Sequence, residues 1–126
     1  MLMNNPRRAY KKTQVEAQAA ASSSVELIRM LHGKLMEEID KMAFHIEEKN
    51  HSMKSACAQK SMDILIALDS SLDLSSGDEL INNLHRIYEF AISKIYQASR
   101  NNDIEEINQL KPIIQDIKDG WDGLSA

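Results

Sequence analysis

The chain has 126 residues, enough for one domain with its own core, and carries 15 basic against 19 acidic side chains. The resulting net charge of −4 argues against nucleic acid as a partner, since phosphate contacts need a basic face. A single cysteine, Cys57, rules out an internal disulfide and fits a reducing compartment; the longest aliphatic run, residues 64–68, is far too short to insert across a membrane.

With two prolines, four glycines and no alternating window, the expected class is all-α. Residues 1–22 form an N-terminal arm without the apolar segment of a signal peptide, which predicts a cytoplasmic protein. Arg7, Arg8, Lys11 and Lys12 stand there without an acid before Glu16, leaving 11 bases and 19 acids for the rest. Such an arm either lies against its acidic body or stays solvated. Only Tyr10, Val15 and several alanines are apolar, so a helix in this arm would form only when docked.

A bundle domain is expected over residues 23–126. Its first helix, residues 23–48, opens on Ser23 with Glu26 as a capping box and carries a ladder from Leu27 through Leu31, Leu35 and Ile39 to Ile46. Asn50 and Ser52 break and re-cap the chain before a second helix over residues 53–72, with Ile64, Leu65, Leu68 and Leu72 on its inner face. Either Ser76 or Asp78 can cap the third helix, residues 78–100, and Gly77 suits the positive φ of a sharp turn. The expected inner stripe of that helix is Leu80, Leu84, Ile87, Ala91 and Ile95. After Asn101, Asn102 and Asp103, a fourth helix places Ile107, Leu110, Ile114, Ile117, Trp121 and Leu124 on a narrow seam. Pro112 removes the amide that would bond to Asn108, so a kink is expected there. Short connections predict an antiparallel up-down four-helix bundle.

Several apolar residues fall beside these stripes. Met62 and Ile66 lie one turn apart on the second helix; Ile81, Tyr88, Ile92 and Tyr96 line the third, and Ile113 the fourth. Either a wide core or a groove for partner helices accommodates them. Seven methionines would suit an adaptable groove.

Signs of catalysis or of a cofactor are missing. A di-iron bundle needs two Glu-x-x-His pairs; here Glu48 and His51 make one, across a helix break. His32, His45 and His85 have no acid three residues earlier and are expected to face solvent, leaving no metal ligands. Asp73-x-Ser75-x-Gly77 misplaces the glycine of a calcium loop and has Leu84 at the twelfth position. Cys57 sits on the buried face and reads as packing.

Taken in order, these residues resemble the flagellar export chaperones that escort flagellin. The likeness lies in Ala9-Tyr10, in the run from Val25 to Leu31, and in Ser71-Leu72-Asp73 with Gly77. Asn83-Leu84 with Ile87-Tyr88, and Trp121 near the end, complete it. Val25 stands where relatives often have proline, and Pro112 where many have helix formers. The resemblance implies a non-enzymatic four-helix bundle that binds the disordered C-terminal region of flagellin and prevents its premature polymerisation. It also implies an arm, led by Tyr10, that covers part of the binding surface until flagellin displaces it. Relatives also form homodimers, contact an anti-sigma factor and dock on an export gate protein. Met62, Ile66, Ile81, Tyr88, Ile92, Tyr96 and Ile113 are then the expected partner-binding residues. Two other readings compete: a dimeric regulatory adaptor with another partner, and a metal-binding bundle enzyme.

Overall fold

The structure, a computed structural model, describes residues 24–123. Four helices follow one another: α1 (Ser24–Glu47), α2 (His51–Ser70), α3 (Glu79–Asn101) and α4 (Ile104–Asp122). Each packs against the two beside it, closing an antiparallel four-helix bundle. The expected all-α architecture is therefore the observed one; the arm, and Leu124 of the predicted seam, lie outside the described residues.

Local chemistry explains the boundaries. The Asn50 side chain accepts from the Met53 amide at 3.2 Å, so α2 starts at His51 and Asn50, not Ser52, is its cap. Asp73 accepts from the Ser75 amide at 3.2 Å and starts a short 3₁₀ turn, Leu74–Ser76. Gly77 follows at φ +72°, where other residues would be strained. Asp78 accepts from the Leu80 amide at 2.8 Å, which decides between the two candidate caps, and Asp103 accepts from Glu105 at 3.0 Å to start α4. α4 runs unbroken through Pro112. Pro112 and Asn108 are both exposed, where water can take over the freed carbonyl, so the helix continues through the proline.

The core runs the length of the bundle. Leu35, Ile39 and Met42 of α1, Ile64 and Leu65 of α2, Ile95 of α3, and Ile107 and Ile114 of α4 are fully buried. On α3 the buried stripe is Ile81, Leu84, Tyr88, Ala91, Ile95 and Ala98. This corrects the expected phase: Leu80 is 59% exposed and Ile87 only half-buried. Leu80-Ile81 and Ile87-Tyr88 are adjacent pairs about 100° apart on the helix, so periodicity alone lets either member begin the stripe. Packing selects the 3-4-3-4-3 series that starts at Ile81.

Two buried charges, Glu38 and Lys54, are paired. Glu38, buried on α1, lies 3.3 Å from Lys34 and 3.4 Å from Lys41. Burial alone would raise its pKa, but hydrogen bonds from those lysines outweigh it and hold the carboxyl below the usual range. Lys54 of α2 donates to the Ser99 carbonyl at 2.6 Å and to the Asn102 side chain at 2.8 Å, placing a cation at the C-terminus of α3.

Candidate functional site

Three cross-helix bonds set the heights of residues on either side of α3. His85 bonds Asp69 at 2.6 Å and Lys54 reaches Ser99, which fixes the antiparallel register of α2 and α3. Met62 then lies level with Ile92, and Ile66 stands one turn from Met62, towards Asp69. On α3, His85, Glu89, Ile92 and Tyr96 share one face at helical spacing, and on α2, Met62, Ile66 and Asp69 do the same. Ile66 is 49% and Tyr96 54% exposed, while Met62 and Ile92 are half-buried against the core. The four form an apolar strip along the α2–α3 flank.

The other flank of α3 faces α4. Lys94 pairs with Glu106 at 2.8 Å and stands 5.4 Å from the Phe90 ring centre; the pairing puts Ile87 level with Ile113. One to two turns further along, an open groove of about 400 Å³ is lined by Leu80, Leu84, Ile87, Ile117, Gly120 and Trp121, with Asp116 as its one charged lining residue. Half-buried Ile113 shares the α4 face of Ile117, one turn below it.

The predicted residues therefore separate. Met62, Ile66, Ile92 and Tyr96 come together, and Ile113 belongs to the opposite flank. Ile81 and Tyr88 are 2% and 1% exposed and belong to the core. Tyr10 lies outside the described residues. Sequence reasoning missed the α3–α4 groove because it assigned Leu80, Ile87 and Ile117 to the interior; Trp121, assigned there too, is buried as expected and lines the groove as well. A signal was present: Leu80 and Ile87 are one heptad apart and fall outside the 3-4-3-4-3 series.

The histidines also need correction. His32 is fully buried, not solvent-facing. Its Nδ1–H donates to the Ile28 carbonyl at 2.9 Å and its Nε2 lies 3.1 Å from the Tyr88 hydroxyl, so burial orphans neither nitrogen. Burial lowers its pKa to about 4 and leaves the ring neutral. The Tyr88 hydroxyl is raised, mainly by burial. His85 is 30% exposed, between Asp69 and Glu89, and the hydrogen bond to Asp69 raises its pKa. Cys57 is buried as expected, and burial pushes its thiol up, away from the thiolate that a nucleophile requires. Among the described residues no three His, Cys, Asp or Glu side chains gather as metal ligands, and no helix is long and apolar enough to cross a membrane. Such surfaces can bury the apolar faces of amphipathic helices.

Comparison with known proteins points the same way. The family described as flagellar protein FliS matches residues 3–126. The chain is 31% identical over 120 residues to the flagellar secretion chaperone FliS of Vibrio cholerae, an alignment covering 95% of this chain and 88% of that protein. It is 28% identical over 118 residues to the flagellar secretion chaperone FliSB of Pseudomonas aeruginosa, covering 94% of each. With FliS of Escherichia coli it shares 26% identity over 115 residues, 90% of this chain and 85% of that protein. Matched over nearly its whole length, this chain belongs to the flagellar protein FliS family.

Proposed function

We propose that this bundle is a cytoplasmic flagellar secretion chaperone that holds the disordered C-terminal segment of flagellin against the two flanks of α3. The observation that carries this reading is the pair of apolar surfaces there, the strip with Ile66 and Tyr96 and the groove with Leu80. The relatives named as flagellar secretion chaperones support it independently. A segment with heptad-like apolar faces has nowhere to bury them while alone; against these flanks it would fold into helices and be kept from polymerising. Ordering that segment costs conformational entropy, so affinity would follow the apolar area buried less that cost.

On this reading Ile66, Tyr96, Met62 and Ile92 contact one part of the segment, and Leu80, Ile113 and Ile117 another. Ile81 and Tyr88 support the surface from beneath. The basic arm with Tyr10 covers part of the same surface until the partner arrives. Titration calorimetry with a flagellin C-terminal fragment tests the reading: the expected result is saturable binding with a negative heat-capacity change. A folded protein that binds nothing at micromolar concentrations would overturn it.

A further inference from the structure

Glycine is among the poorest helix formers, yet Gly120 stands within α4. The bundle does not require it. Its backbone is ordinary right-handed helix, and a Cβ placed on it would meet no neighbouring atom within 4 Å. What the missing side chain leaves is room in the α3–α4 groove, which Gly120 lines. Ile113, Asp116, Ile117 and Gly120 stand at i, i+3, i+4 and i+7 on α4, the four corners of a hole that receives one side chain of a facing helix. Leu80, Asn83, Leu84 and Ile87 make the same figure on α3. The Lys94–Glu106 pair that puts Ile87 level with Ile113 also puts Leu80 level with Gly120. The two holes therefore lie side by side at one height. At one end of them Leu80, 59% exposed, stands opposite a residue with no side chain.

We propose that Gly120 is a specificity-determining residue of the partner site: its bare backbone lets one amphipathic helix of the flagellin segment lie between α3 and α4 and lodge a large apolar side chain beside Leu80 and Ile117. The inference deepens the chaperone reading and rests on it. Shape selects the occupant. Two level holes fit a helix whose apolar residues repeat at three- and four-residue spacing, and not an extended strand, whose side chains alternate between faces. Charge selects it too. Asp116 is the one charged residue of the lining, so a lysine or arginine beside the partner's apolar seam is favoured there and a carboxylate is disfavoured. A side chain at position 120 would stand where the incoming one has to go, and closely packed helices do not absorb the extra volume without shifting.

Two glycines separate this role from an ordinary helix effect. Gly33 is likewise inside a helix, α1, and a Cβ there also meets nothing within 4 Å, but it does not line the groove. Alanine at either position removes the conformational cost of glycine, so full-length Gly33→Ala and Gly120→Ala should both melt about 2–5 °C higher. Titration calorimetry with a flagellin C-terminal fragment then divides them. Gly33→Ala should bind as the unmodified protein does. Gly120→Ala should bind several-fold more weakly despite its higher stability, and Gly120→Leu, which fills the hole, at least about tenfold more weakly. Folded Gly120→Ala and Gly120→Leu proteins with the affinity of the unmodified protein overturn the proposal and leave the chaperone reading standing. So does a Gly33→Ala protein that loses as much affinity as Gly120→Ala. A Gly120→Ala protein that melts below the unmodified one overturns it too, since the fold would then need the glycine. An unmodified protein that binds no fragment overturns the chaperone reading, and this proposal with it.

Discussion

Two histidines make opposite contributions to stability as pH changes. His32 is neutral in the fold, with its pKa lowered from 6.5 to about 4. Between those values the unfolded chain binds the extra proton, so stability falls as pH drops from about 6.5 towards 4. The shift corresponds to roughly 3 kcal/mol if fully expressed. His85 has the reverse sign: its raised pKa, from the Asp69 hydrogen bond first, gives stability that is complete below 6.5 and lost as pH rises through the folded value. Urea melts across pH 4.5 to 8 separate the two. His32→Gln should flatten the acid side of the stability profile, while the deficit of His85→Gln should be larger at pH 6 than at pH 8. Parallel profiles for all three proteins would contradict both assignments.

At the scale of one element, α3 decides the surface. Two stripes compete on it, and choosing Ile81 over Leu80 turns the helix by about one residue's angle. That rotation brings Tyr88 to His32 and exposes Leu80 beside Ile117 and Trp121. Ile81→Ala should cost about 2–4 kcal/mol, as large-to-small changes in a packed core do. Leu80→Ala should leave stability within about 0.5 kcal/mol. Equal costs in denaturant melts would mean that α3 packs in the other phase. A contrast with Leu80→Asp is useful for function, because a carboxylate in the groove should weaken the flagellin fragment without unfolding the bundle.

For the whole molecule, the two flanks of α3 matter together. A single segment that uses both must cross from one side of the helix to the other, which suits a partner disordered before binding. Under the proposed function, the basic arm would be a competing occupant. Removing residues 1–14 should tighten the flagellin fragment several-fold in calorimetry, with most of the change in entropy if the arm is displaced on binding. Unchanged affinity would mean that the arm does not cover the site.

Much of this architecture was legible in the chain. Apolar ladders at three- and four-residue spacing, Asn50, Asp78 and Asp103 as caps, and Gly77 at the turn are local signals, and short connections leave an antiparallel bundle as the packing solution. Met62, Ile66, Ile92 and Tyr96 were legible as apolar residues beside the core stripes, but the sequence grouped Ile92 and Tyr96 with Ile81 and Tyr88, which the structure buries in the core. The rest depended on which helices meet. Whether His32 faces water or Tyr88 is set by a contact between residues 56 positions apart, which flank holds Ile113 by the pairing of α3 with α4, and whether Leu80 or Ile81 is buried by a choice between adjacent side chains that periodicity treats alike. Propensity and capping act within a few residues and determined the elements. Rotation of each helix about its axis is a collective packing outcome, and it alone decided that Leu80 is exposed and that Trp121, buried on α4, also lines the groove.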